Sequence, residues 1–125
     1  MGYKILDTVD VAAWIADVKR ETPAERLGML LVHNGVVRGT SRAGAAVSGM
    51  RLDVDRARLG DVVREASESP GVEAVNAWVN EGELVVGDDI MYVLVAGTIR
   101  PVVIPALENL VREIKTTVMT EVERD

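Results

Sequence analysis

The sequence predicts an α+β domain with a largely antiparallel or mixed sheet, and three observations lead there. Apolar residues recur at helical spacing in three separate stretches. Between these lie short runs of Val, Leu, Ile and Ala of strand length, bounded by Gly, Asn and Asp. Their order is helix, two strands, helix, three strands, helix, which is not the strict alternation that builds a parallel βαβ sheet. The 125 residues suit one domain spanning 1–125, and no repeat, linker or low-complexity segment divides them.

Val11, Trp14, Ile15 and Val18 share one helical stripe, with Asp10 placed to cap it and Glu21-Thr22-Pro23 placed to end it. Met29 to Val32, continuing through His33 and Asn34 toward Val37, reads as a strand buried on both faces. Gly39 to Gly44 is a polar turn, and Ala45 to Val54 a second strand. Leu59, Val62, Val63 and Ala66 mark a helix that starts near Asp55 and stops before Ser69-Pro70-Gly71. Val72 to Val79 and Glu83 to Val86 are strands joined at Asn80-Glu81-Gly82, and Gly87-Asp88-Asp89 precedes the strand Ile90 to Ala96. The last helix carries Leu107, Val111, Ile114 and Val118 on its apolar side. Proline fits only the first turn of a helix, so this one begins near Pro105 or is kinked there.

Composition removes several function classes. Hydrophobic residues at 48% and charged residues at 27% belong to a globular rather than a disordered chain. Aromatic residues are only 3%, with no Phe, which leaves no stacking platform for bases. The formal charge of −6 opposes general binding to nucleic-acid phosphates or anionic membranes, but not a local basic site. Without Cys there is no disulfide, thiolate metal site or Cys nucleophile. No signal-peptide stretch opens the chain, and no window approaches the ~20 apolar residues of a membrane span, so a cytoplasmic location is expected.

Familiar catalytic patterns are missing. His33 is the single histidine, and its position within an apolar strand reads as a packed or hydrogen-bonded side chain rather than a catalyst. Asp53-Val54-Asp55 lacks the later ligand spacing of a calcium loop, and no glycine-rich phosphate fingerprint with its lysine is present. Three basic positions stand out by their placement. Arg38 follows the first long strand and opens the turn that contains Arg42; Arg100 follows the Ile90 strand; Lys115 lies late on the last helix. Strand ends and turns gather side chains where anions bind, and Arg can grip a phosphate through two parallel hydrogen bonds. The plainer reading is a solvated face, with Glu108 and Arg112 as an ordinary i,i+4 pair.

The order of these pieces resembles the large, catalytic subunit family of molybdopterin synthase, the MoaE-like proteins. Gly35-Val36-Val37-Arg38 is similar to the Gly-x-Val-Arg that ends an early strand there, and Gly82-Glu83-Leu84-Val85-Val86-Gly87-Asp88 to its Gly-x-Leu-x-x-Gly-Asp/Glu turn. Ile90 to Arg100 resembles its apolar strand running to an arginine, and Ile114-Lys115-Thr116-Thr117-Val118 the helix end that supplies a catalytic lysine. The resemblance covers about residues 10 to 123. It implies an α/β-hammerhead type of domain that dimerises and works in molybdenum cofactor biosynthesis. The partner it implies is a small ubiquitin-like sulfur carrier, whose C-terminal thiocarboxylate passes sulfur to cyclic pyranopterin monophosphate. On this basis Lys115 is expected at the point of transfer, and Arg38, Arg42 and Arg100 on the substrate anion. No cofactor or metal is called for. The same fold without the chemistry, as a binding or regulatory module, is the alternative.

The chain departs from the family pattern at several points. Ile99-Arg100 stands where the family has His-Arg, and His33 where it has phenylalanine before Gly-x-Val-Arg. Met119-Thr120-Glu121-Val122 matches a Pro-x-Trp-Lys segment, so Val122 falls at the place of a second lysine.

Overall fold

The computed structural model describes residues 2–125. In chain order the elements are β1 (Gly2–Ile5), α1 (Val11–Glu21), a 3₁₀ turn (Ala24–Arg26), β2 (Met29–Val36), β3 (Gly49–Val54), α2 (Arg56–Ser67), β4 (Val72–Val79), β5 (Gly82–Val85), β6 (Asp89–Gly97), α3 (Arg100–Glu113) and β7 (Met119–Arg124). A π-helical turn, Ile114–Val118, connects α3 to β7. A four-stranded sheet has the order β1-β4-β6-β2, and a three-stranded sheet the order β5-β3-β7. Among the described residues only the β1–β4 pair is parallel, so the expected α+β class with a mixed sheet holds.

The four-stranded sheet is covered on both faces. Leu94 and Ala96 of β6 pack with Trp14 and Val18 of α1 on one side. Met91, Val93 and Val95 alternate to the other side and join Leu59, Val63, Val103, Leu107 and Ile114 from the other helices. That second cluster also takes in Met50, Leu52 and Leu84, so it links the two sheets. Fully burying side chains of this size stabilises the fold by about 1.5–3 kcal/mol each.

Local signals explain the helices. Asp10 caps α1 by accepting from the Ala13 N–H at 3.0 Å, and Asp55 caps α2 by accepting from the Arg58 N–H at 3.0 Å. α3 begins at Arg100 with Pro101 in its first turn, and it continues through Pro105. Of the two expected alternatives, a start near Pro105 is a turn too late and Pro105 lies inside the helix; it costs one backbone bond, and packing of Val103, Leu107 and Leu110 offsets it.

Three other expectations change. β2 is an edge strand and only partly buried, rather than buried on both faces; β4 and β6 occupy the interior of that sheet. The second strand starts at Gly49, because Gly39 to Ser48 forms a loop closed by the Thr40–Ala46 bridge and the Val47 N–H to Gly39 carbonyl bond. β1 and β7 are edge strands that sequence patterning missed, since nearly all their residues face solvent and carry no apolar alternation. No helix among the described residues is long and apolar enough to cross a membrane.

Close backbone contact fixes the approach to α3. The Gly28 N–H donates to the Gly97 carbonyl at 2.8 Å, and a Cβ on Gly28 would stand 1.8 Å from the Thr98 carbonyl oxygen. Neither atom can yield without moving the backbone. Gly28→Ala is expected to cost at least about 1–3 kcal/mol, read as a lower urea midpoint at unchanged slope. An unchanged midpoint would show that this approach is not tight.

Candidate functional site

The loop after β2 is held at several points before it presents any charge. A register shift at Gly35/Val36 ends the β2–β6 ladder. Beyond it, the Val37 N–H donates to the Asp88 carbonyl and the Gly87 N–H donates back to Val37, both at 2.9 Å. Val37 is buried, so the exposed side chain of Arg38 starts from a fixed backbone. Its Nε donates to the Thr40 carbonyl at 2.9 Å. The turn closes as the Ser41 N–H donates to Ala45, with Gly44 at φ +89°, and this places Arg42 near the loop tip.

Lys115 comes from the opposite direction, on the π turn. Such turns insert one extra residue into a helix and re-aim the side chains beyond it. The turn is stitched by the Thr116 hydroxyl donating to the Arg112 carbonyl at 2.8 Å and the Thr117 hydroxyl donating to Glu113 at 2.7 Å. Arg58 of α2 braces it, donating to the Thr117 hydroxyl oxygen at 3.2 Å and pairing with Glu113 at 3.6 Å. Ile114 and Val118 are buried on either side, which leaves Lys115 exposed between two anchors.

These segments meet in one groove. Arg38, Arg42 and Lys115 line its lower part together with Ser41 and with Glu121 and Glu123 of β7. Its upper part runs between β2 and α3, where His33, Arg42, Arg112 and Lys115 face an apolar floor of Leu107 and Val111. Arg51, Arg56, Arg58, Arg64 and Arg124 are held in ion pairs elsewhere. Arg38, Arg42, Arg112 and Lys115 pair with no carboxylate among the described residues. The Glu108–Arg112 pair expected for a plain solvated face does not form; Arg112 bonds the Asn109 side chain instead.

Arg100 is not part of this convergence within one chain. It lines a separate groove with Gly28, Met29, Thr98, Ile99 and Pro101. Lys115 lies fifteen steps further along α3 and the π turn, a span of roughly 22 Å. Val122 also differs from its expected place. β7 alternation puts Val122 opposite Arg51, away from the groove, whereas Glu121 and Glu123 point into it. The groove therefore has carboxylates where a second lysine was the expected neighbour.

His33 also lines the upper part of this groove and is half-buried. It lies on the same β2 face as Leu31, toward α3, and its Nε2 is closed from solvent with no hydrogen-bond partner. Gly35, two residues on, leaves room beside that nitrogen; a Cβ there would come to 3.6 Å. Burial, and then the charge of Lys115, hold the imidazole below the usual histidine range. The only sequence signal was its polarity within an otherwise apolar run. Among the described residues no cluster of His, Asp and Glu is arranged to hold a metal ion.

The α+β scaffold thus carries, at a strand end and a helix end, a groove whose cations have no carboxylate partner among the described residues. The MoaE protein family matches residues 6–117, and the chain belongs to that family. Membership assigns it to molybdenum cofactor biosynthesis. A MoaE protein of molybdopterin biosynthesis from Burkholderia ambifaria MC40-6 is 20% identical, covers 97% of this chain and 87% of its own, and superposes with a TM-score of 0.70. Molybdopterin synthase from Staphylococcus aureus is 18% identical over 100% of this chain and 93% of its own, with a TM-score of 0.73. A protein–protein complex of subunits 1 and 2 of molybdopterin-converting factor from Helicobacter pylori 26695 contains a chain 18% identical, covering 98% and 84%, with a TM-score of 0.71. At these identities the solved structures establish the fold. No curated protein matches the sequence significantly.

The state of His33 has a consequence for stability. Above about pH 6.5 the imidazole is neutral in both folded and unfolded chains and adds no pH dependence. As pH falls, the unfolded chain takes up the proton first, because the folded-state value is depressed. Stability is therefore lost as pH falls below about 6.5 and through the folded-state value. His33→Phe should remove that part of the loss, measured as the wild-type minus variant difference in urea stability between neutral and mildly acid pH. Parallel curves would contradict it.

Proposed function

We propose that this protein is a working large subunit of molybdopterin synthase, a sulfurtransferase acting on cyclic pyranopterin monophosphate. The observation that carries this reading is the convergence of Arg38, Arg42 and Lys115 in one groove of an acidic protein, each without a carboxylate partner among the described residues. Both reactants are anions: a phosphate to be anchored and a thiocarboxylate to be positioned. Arg38 and Arg42, on the braced loop, hold the substrate phosphate. Lys115 receives the thiocarboxylate at the point of transfer. Each round forms a carbon–sulfur bond at a substrate carbon as a carbon–oxygen bond there breaks, its oxygen leaving as water or on the phosphate, and then water cleaves the carrier's acyl carbon–sulfur bond, returning the carrier as its carboxylate. Two rounds make the dithiolene.

The sulfur donor is a small ubiquitin-like carrier with a Gly-Gly thiocarboxylate tail, and the two-subunit complex from Helicobacter pylori supports such a partner. We read the chain as one domain over 1–125, acting as a homodimer in the cytoplasm. The continuous core shared by both sheets supports the first point, and the free edge of β2 beside exposed Val36, Val85 and Val86 supports the second. Dimerisation also gives Arg100 a role. At its distance from Lys115 it reaches the same anion only when a second copy supplies it.

A reconstituted assay with thiocarboxylated carrier and cyclic pyranopterin monophosphate tests this. Lys115→Ala should lower dithiolene formation at least about a hundredfold while the fold persists. Arg38→Ala should chiefly raise KM. Mixing inactive Lys115→Ala and Arg100→Ala chains should restore about a quarter of wild-type activity, since each mixed dimer keeps one intact site. An inactive wild-type protein with a matched carrier would leave the alternative, a relative that binds without the chemistry.

A further inference from the structure

We propose that His33 is a proton-dependent contact for the anion held in the Lys115 groove, supplying from β2 a second positive charge that Val122 does not supply. This deepens the functional reading above and rests on it.

The geometry comes first. Nε2 of His33 is the one buried side-chain polar atom among the described residues with no hydrogen-bond partner. Nδ1 also bonds no protein group but is not closed off, and the ring lines the groove. A packed structural histidine normally has at least one nitrogen satisfied by the protein. Here Nε2 is shut in without a partner, and Nδ1 is left to whatever enters the groove.

The surroundings decide what that is. From α3 and its π turn, Glu108, Arg112 and Lys115 line the same groove, and Arg42 joins them from the loop. Beneath and beside the ring are Gly35 and Val93 of β6, which carry no charge. Arg38, Glu121 and Glu123 line the adjoining part, so burial and the nearby Lys115 disfavour a proton on the empty site, while the cations beside the ring favour a small oxyanion as ligand. A bound dianion reverses the local field, so the ring can take a proton and donate from Nδ1 as a charge-assisted hydrogen bond. Linkage makes this reciprocal: an anion that raises the affinity of His33 for a proton must itself bind more tightly as pH falls.

The test uses the full chain and sulfate, which remains a dianion throughout the range of histidine titration. With one histidine in the sequence, its imidazole nitrogen resonances are unambiguous by NMR. Sulfate should raise the titration midpoint of His33, and calorimetry should show binding about tenfold tighter on the acid side than on the alkaline side. His33→Phe and His33→Gln should keep the alkaline-side affinity and lose the pH dependence. A midpoint unmoved by saturating sulfate, or full pH dependence in both variants, overturns the assignment. If Lys115→Ala weakens sulfate binding while that midpoint stays fixed, only the role of His33 falls. If Lys115→Ala leaves the isotherm unchanged, sulfate is bound elsewhere, and the anion groove falls with it.

Discussion

β6 must bury both of its faces, because Leu94 and Ala96 turn toward α1 while Met91, Val93 and Val95 turn toward the other helices. No strand with that pattern is stable at a sheet edge, so β4 and β2 have to flank it and helices have to cover it from both sides. With no Phe, Val, Leu, Ile, Ala and Met carry most of this packing. Small side chains permit close approaches, seen where Gly28 lies against Thr98 and where a Cβ on Gly97 would stand 2.4 Å from the Gly71 carbonyl oxygen. The site inherits its geometry from this arrangement. β2 sits beside β6 and delivers Arg38 at its end, and α3 lies across the same face and delivers Lys115 at its own.

Charge is organised differently from apolar surface. An acidic chain can satisfy its arginines cheaply, and several are paired at the surface, where such pairs contribute little stability. In the groove the cations have no carboxylate partner among the described residues, and they repel one another. An anion entering the groove would relieve that repulsion, which is the physical content of calling it a candidate site. Glu121 and Glu123 moderate the field from β7.

Much of the fold was legible from residues alone. Asp10 and Asp55 announced two helix starts, and Gly87-Asp88-Asp89 announced the entry to the central strand. β1 and β7 were not legible, because an edge strand gains its stability from backbone pairing and needs no apolar alternation. The π turn was hidden too, since it depends on Thr116 and Thr117 bonding back to carbonyls, which periodicity does not record. At the site, Arg38 and Lys115 were legible through resemblance, and their meeting in one groove through neither motif alone. The separation of Arg100 and the outward face of Val122 follow from helix length and strand alternation, which become usable only once the elements are placed. His33 was discounted because a histidine in an apolar run is usually satisfied by its neighbours, and here it is not.

The central claim is that the braced loop and the π turn together form one anion site. A crystal grown with selenate tests it most directly, because the anion is located by anomalous scattering rather than inferred from activity. The account predicts selenate within hydrogen-bond reach of Lys115 and of Arg38 or Arg42, about 2.7–3.2 Å from their nitrogens. Selenate found only beside Arg100, or at scattered surface positions with the Lys115 groove holding water, would contradict it.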